Sequence, residues 1–390
     1  MFNFSALPPL SLYIHMPWCV RKCPYCDFNS HAVIEPIPEA DYINALIADL
    51  EQALPSVWGR TLQTIFIGGG TPSLFSGDAI ATLLSAVRAR LPVRPDIEIT
   101  LEANPGTLEA GRFRAYREAG VNRLSIGVQS FDDDILQRLG RVHDGSQAVA
   151  AVQEAKSAGF ERINLDLMFG LPGQSLVQAM DDVDRAIELA PDHISYYQLT
   201  VEPNTAFHHQ PPSLPDDDEI WQFQAQGCER LAAAGYAQYE ISAYAQDGKQ
   251  CRHNLNYWSF GDYIGIGAGA HGKITRADTQ QIGRYWKAKH PRDYLLQTPL
   301  QQTSRVAGEK TVRRDEVGLE FMMNVLRLTD GFPSSLFYEH TGMPLKIVDE
   351  ALNEAQHRGL IEWDIQRIQP TQQGQRFLND LLELFVSTPR

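Results

Sequence analysis

The sequence predicts an α/β fold, with a run of parallel strand–helix units in its first half and a small helical domain of winged-helix-like order at its end. Three observations carry this reading. Between Leu10 and Pro203 six short apolar runs alternate with helix-period segments, the pattern of parallel strands joined by crossover helices. Nearly every glycine-rich or polar signature in that region falls just past one of these runs, where a parallel α/β barrel keeps its active face. At residue 210 the rhythm stops in a proline- and acid-rich stretch, and a mostly helical pattern follows. Six units are too few to close an eight-unit barrel.

The strands expected are Leu10–Met16, Thr64–Gly68, Ile97–Ala103, Arg123–Gln129, Arg162–Phe169 and His193–Val201. Between the last two, Leu176, Ala179, Met180, Val183 and Ile187 repeat at helical spacing, with Ser175 as N-cap. Residues Gln210 to Asp218 read as a linker ending in a helix start. A helix from about Asp218 to Ala234 and a strand over Ala237–Tyr244 follow, then an irregular polar region after Gly272. The last part holds a helix over Val312–Leu328, with Val317, Phe321, Val325 and Leu328 on one face. Shorter helices follow at Ser335–His340 and Pro344–Arg358, strands at Ile361–Trp363 and Gln366–Ile368, and a final helix from about Gln373 to Phe385. The expected divisions are 1–210, 211–300 and 301–390.

Composition narrows the function classes. With 43% hydrophobic residues the chain can bury a large core. No run of about eighteen apolar residues and no basic-then-apolar start is present, so a cytoplasmic protein without a membrane span is expected. The net charge of −14 argues against nucleic acid as a partner, since phosphate binding needs clustered Lys and Arg. By the same reasoning the winged-helix-like domain is expected to pack against protein. Cys228 and Cys251 are far apart in sequence and read as reduced thiols.

The other three cysteines, Cys19, Cys23 and Cys26, fall within eight positions in C-x3-C-x2-C spacing on a loop leaving the first strand. Three thiolates there can hold three irons of a cubane and leave the fourth open. The amino and carboxylate groups of a methionine derivative suit such an iron. A three-Cys zinc site completed by His15, or three unrelated thiols, are the alternatives. Past later strands come Gly68-Gly69-Gly70-Thr71-Pro72, Glu102-Ala103-Asn104-Pro105-Gly106, Gln129-Ser130-Phe131 and Gly170-Leu171-Pro172-Gly173. Each alone is weak evidence, a glycine turn being more often a tight turn than a ligand site; their shared position on one rim makes them a candidate site. Glu102 and Asp166 can accept hydrogen bonds from ribose hydroxyls or an amine, and Arg141 can fork onto a carboxylate.

The cysteine loop resembles that of the radical S-adenosylmethionine (SAM) superfamily, which implies an open, three-quarter (β/α)6 partial barrel. With Gly127-Val128-Gln129-Ser130-Phe131 and Asp166-Leu167-Met168-Phe169-Gly170-Leu171-Pro172, the likeness extends over almost the whole chain to the oxygen-independent coproporphyrinogen III oxidase family and its relatives. Carried over by motif, the resemblance implies a [4Fe–4S] cluster on Cys19, Cys23 and Cys26. It implies SAM contacts at Tyr13, Gly69, Gly70, Thr71, Glu102, Gln129, Arg141 and Asp166, with Tyr25 beside the adenine.

A second stretch, His253-Asn254-Leu255-Asn256-Tyr257-Trp258, offers a haem ligand with flat aromatic surface nearby. It resembles the haem motif of the family's haem-chaperone branch, which implies haem on His253 with Asn254, Tyr257 and Trp258 around it. Arg252, Lys273 and Arg276 are nearby cations, and His271 is a candidate second ligand. The resemblance further implies haem-receiving respiratory proteins as partners, peripheral membrane contact through them, and a cluster-dependent homodimer.

The competing function is a coproporphyrinogen III dehydrogenase that decarboxylates two propionates through a SAM-derived radical. A radical reaction on another substrate is a third reading. Three departures favour the chaperone. Phe28 stands where the dehydrogenases resemble C-x3-C-x2-C-x-C, only eighteen residues precede Cys19, and the His253–Trp258 motif belongs to the chaperone branch.

Overall fold

In the computed structural model, which describes residues 2–106, 111–296 and 305–386, the six strands stand side by side in chain order, each parallel to the next. They span Leu10–Met16, Leu62–Gly69, Val93–Ala103, Arg123–Gln129, Ile163–Phe169 and His193–Gln198. Their apolar side chains and those of the crossover helices form one core, so these strands read as near-continuous hydrophobic runs. Ser175 caps the Leu176–Glu188 helix, accepting from the Gln178 amide at 3.3 Å while Gln178 reciprocates.

The sheet is open and continues at both edges to twelve strands. Beyond His193–Gln198 lies a short antiparallel hairpin, Ala243–Ala245 and Ala237–Glu240. The single strand expected over Ala237–Tyr244 is therefore two, folded back at Ile241 and Ser242. On the other edge Asp262–Ile266 runs parallel to the first strand, and His271–Arg276, Gln281–Lys287 and Val306–Thr311 follow in antiparallel order. The irregular region expected after Gly272 is thus mostly sheet. Its outermost strand is largely exposed, and polar edge strands lack the hydrophobic alternation that betrays a strand in sequence. The expected boundary at 300/301 lies outside the described residues.

Buried ion pairs fasten these added strands to the barrel. Lys287 Nζ sits 2.6 Å from Asp49 Oδ1 on the Glu39–Ala53 helix, and Tyr294 donates to the same carboxylate at 2.7 Å. Asp262 is held by Lys273 at 2.9 Å and Arg60 at 2.8 Å.

The C-terminal unit has its own core around Phe321, Phe332, Phe337, Leu352 and Ile368. A three-stranded sheet of Phe332–Pro333, Arg367–Pro370 and Ile361–Trp363 packs with the Val317–Val325, Ser335–Thr341 and Asp349–His357 helices, in the expected winged-helix-like order. The last expected helix is two pieces, Gln372–Arg376 and Leu378–Glu383, interrupted at Phe377. Phe2 and Phe4 join this core, so the start of the chain is anchored to its end. No helix among the described residues is long and apolar enough to cross a membrane.

Replacing Lys287 with Met should cost about 3–5 kcal/mol in urea unfolding, because it strands Asp49 as an uncompensated buried charge. A loss under about 1 kcal/mol would show that the pair does not fasten the sheet.

Candidate functional site

The first strand delivers the cysteine loop. After Met16, Trp18–Cys19 pairs with His31–Ala32, which closes the loop at its base. Cys19, Cys23 and Cys26 then line a cavity of about 420 Å³ at the C-terminal ends of the strands, within the size range of small-molecule sites. Tyr25, Gly69, Gly70, Thr71, Glu102, Gln129, Arg141 and Asp166 line the same cavity. Tyr13 does not; it stacks on Phe66 with ring centroids 6.3 Å apart and meets His15 Nδ1 at 2.9 Å.

The glycines earn their place by contact. A Cβ on Gly70 would lie 2.6 Å from the Trp18 carbonyl oxygen, and one on Gly69, at φ +115°, would meet the His15 ring at 2.6 Å. Freed of side chains, the turn lets Gly70 N–H donate to Met16 O and Thr71 N–H to Trp18 O, both at 2.7 Å. The loop carrying the thiols is thereby docked onto the end of the second strand.

His15 has both ring nitrogens engaged, Nδ1 with Tyr13 and Nε2 with the Asn29 carbonyl at 2.8 Å. Burial pushes its pKa down to about 4. It is a structural residue and not a fourth ligand. Among the described residues no three His, Cys, Asp or Glu stand close enough to hold a single metal ion. What the three thiols share is the wall of a wider cavity.

Arg141 donates to the Asn104 side chain and the Gly127 carbonyl, each at 2.8 Å, and reaches Cys23 Sγ at 3.7 Å. It is thus tied to the cysteine loop. Its buried Nε has no hydrogen-bond partner. Burial raises the Cys19 and Cys26 thiols above their ordinary pKa, so metal ligation here would release protons. The convergent thiols, the side-chain-free cradle and a cation with one spare donor together fit a [4Fe–4S] cluster with a bound anionic ligand.

Two carboxylates face this cavity. Glu102 accepts from the Gly69 amide at 3.0 Å, and burial, then the nearby Asp166, pushes its pKa up to about 8. Asp166 is also raised by burial, against hydrogen bonds from Asn164 at 2.8 Å and Ser125 at 3.1 Å. In both, burial disfavours the charged form, and an ammonium or sulfonium brought between them would favour it. Gln129, in the left-handed region at φ +70° where the fourth strand ends, accepts from Tyr197 at 2.8 Å. Sequence reasoning did not single out Asn104, Ser125 or Tyr197 as site residues. Asn104 was visible within the strand-end run after Glu102, whereas Tyr197 carries only the inward parity it shares with Ser195.

The haem-motif residues lie at the other end of the strands. Cys251 precedes the Arg252–Trp258 helix, which sits on the starts of the first two strands: Asn256 donates to Ser11 at 2.8 Å, and His253 Nδ1 pairs with Thr64 Oγ1 at 2.8 Å. His253 is buried, its ring 5.0 Å from that of Phe66, and burial drops its pKa to about 3. Tyr257 and Trp258 instead line a cleft of about 1210 Å³ shared with the C-terminal unit; His253 and Asn254 are not among its lining residues. Of the nearby cations, Lys273 is buried on Asp262 and Arg252 is paired with Asp96, while Arg276 is exposed. His271 is exposed beside Trp286.

Comparison with known proteins agrees with this geometry. Residues 13–186 match the model of the radical SAM superfamily, and residues 312–377 that of the HemN C-terminal domain. Proteins named haem chaperone HemW from Haemophilus influenzae and Escherichia coli are each 52% identical, with 98% of this chain and 99% of theirs covered. The protein of that name from Bacillus subtilis is 36% identical over 96% of this chain and 99% of its own. The solved coproporphyrinogen III oxidase (HemN) from E. coli superposes with a TM-score of 0.82 at 23% identity, covering 98% of this chain and 91% of that one. The chain belongs to the HemW family and has the radical SAM fold, the open barrel expected from the sequence.

Glu102 gives a pH test. Its folded pKa of about 8 lies above its ordinary 4.5, so its contribution to stability is fully present below pH 4.5 and is lost as pH rises through 8. The stability difference between wild type and Glu102→Gln should therefore shift against the wild type across that window in urea titrations. A pH-independent difference would mean that the carboxyl ionises normally.

Proposed function

We propose that this protein is a haem carrier that binds haem and hands it to haem-dependent respiratory proteins, with a [4Fe–4S] cluster on Cys19, Cys23 and Cys26 and SAM beside it. The observation that carries this reading is the 52% identity, over nearly the full length, to proteins named haem chaperones. Phe28 supports it: at the loop position where the dehydrogenases resemble a further cysteine stands a ring that is 59% exposed and cannot ligate iron.

In this reading Tyr25, Gly69, Gly70, Thr71, Glu102, Gln129, Arg141 and Asp166 hold SAM, with Tyr13 acting through His15 from below. When bound, the cluster supplies an open iron that can chelate the methionyl group. Glu102 and Asp166 give up protons as a cation enters, and Arg141 holds the loop by its contacts to Cys23, Asn104 and Gly127. Residues 1–210 serve the cluster, 211–300 carry the haem motif and 301–390 complete the haem face. His253 ligates haem iron; its neutral imidazole suits a metal, and ligation requires it to leave Thr64. Asn254, Tyr257 and Trp258 contribute the surrounding surface. Cytoplasmic location, cluster-dependent pairing of two copies and peripheral contact with membrane-bound acceptors follow from the same reading.

With the cluster and the haem motif at opposite ends of the barrel, Cys23→Ser should abolish the cluster absorbance and leave haem affinity within about twofold. Equal loss of both would sink the two-site reading. His253→Ala should weaken haem binding and shift the Soret band; an unchanged spectrum would remove His253 as a ligand. Reconstituted wild type given SAM, reductant and coproporphyrinogen III should form no protoporphyrinogen, and its formation would make the chain a dehydrogenase.

A further inference from the structure

The haem-motif helix ends on the cleft between the barrel and the C-terminal unit, while its histidine is buried on the opposite side of the helix base. We propose that this cleft is the seat that haem occupies while His253 stays on Thr64, with the Met323 thioether as an iron ligand and the Arg327–Trp258 pair receiving a propionate. The inference deepens the haem-carrier reading and rests on it.

Four features point to a flat, dianionic, iron-bearing ligand. The cleft, at about 1210 Å³, has room for a large planar molecule. Tyr257 is 37% exposed on its wall and supplies ring surface. Met323, on the Val317–Val325 helix, lines it with 52% of its surface exposed. Exposed thioethers are uncommon where packing alone decides, and Met sulfur is an established axial donor to haem iron.

The fourth feature is charge. Four cations, Arg284, Lys310, Arg313 and Arg327, line the cleft against three carboxylates, Asp315, Glu316 and Glu320. Most of that charge is internally paired: Arg284 to Glu320 at 2.6 Å, Lys310 to Glu316 at 3.0 Å, and Arg313 to both Asp315 and Glu316. Arg327 is different. Its closest carboxylate, on Glu240, is 3.9 Å away, its guanidinium lies 4.4 Å over the Trp258 ring, and its buried Nε has no hydrogen-bond partner. Trp258 Nε1 is likewise buried and unpartnered. Each of these orphan donors forgoes about 1–3 kcal/mol of hydrogen bonding, which a carboxylate entering at the stacked pair can supply. Met323, on the last turn of the Val317–Val325 helix, and Arg327, in the turn just past its end, both line the cleft.

Met323→Leu conserves volume at an exposed site, so it leaves the fold intact. The test is a haem titration of the full chain, wild type beside Met323→Leu and Arg327→Gln, read by Soret absorbance and by the near-infrared band of thioether-to-ferric-iron charge transfer. The seat predicts that band in wild type and its loss in Met323→Leu. It also predicts at least tenfold weaker haem binding in Arg327→Gln, with that variant's far-UV circular dichroism unchanged. Wild-type haem binding with neither variant altered would overturn the seat and leave the haem-carrier reading standing. A wild type that binds no haem would overturn both.

Discussion

Everything at the functional end of this molecule depends on the close approach of two backbones, the Gly68–Thr71 turn against the loop that leaves the first strand. A single Cβ at Gly69 or Gly70 would run into His15 or the Trp18 carbonyl. Their absence allows the two amide-to-carbonyl bonds that dock the cysteine loop. From that junction the rest follows: the thiols face the strand ends, Glu102 receives the Gly69 amide, and Arg141 closes the far wall through Cys23. The constraint is steric before it is chemical.

The barrel then separates two kinds of chemistry along its axis. At the strand ends lie thiols, two buried carboxyls and a cation with a spare donor, a set suited to a charged cofactor. At the strand starts a short helix is held by Ser11, Thr64 and Glu98. Its histidine faces the barrel interior and its aromatic end faces the C-terminal unit. Between the two ends run the half-buried Phe66 and Tyr13, so the sites share a wall without sharing a cavity. The buried Asp49–Lys287 and Asp262–Lys273 pairs fix the added strands and so fix where the C-terminal unit sits.

Much of this was legible in the sequence, and the exceptions have physical causes. All six parallel strands were readable because both of their faces are covered. The cavity's glycines, carboxylates and thiols were readable because they cluster at strand ends. The antiparallel extension through Val306–Thr311 was not, since exposed edge strands carry little hydrophobic pattern. Arg141 also holds the cysteine loop, a partner that only the folded path brings near. Asn104 and Tyr197 were missed because their roles come from register, the meeting of residues 37 and 68 positions away with Arg141 and Gln129. The burial of His253 was equally invisible, because the motif names residues and not the side of the helix they occupy.

The measurement that tests the central claim most directly is haem transfer. The haem-loaded chain would be mixed with a haem-depleted respiratory haem protein, and the acceptor's absorbance followed beside a free-haem control. The account predicts that acceptor haem appears as donor haem declines, with saturation in donor concentration. A donor that retains its haem, or a rate limited only by spontaneous haem release, would contradict it.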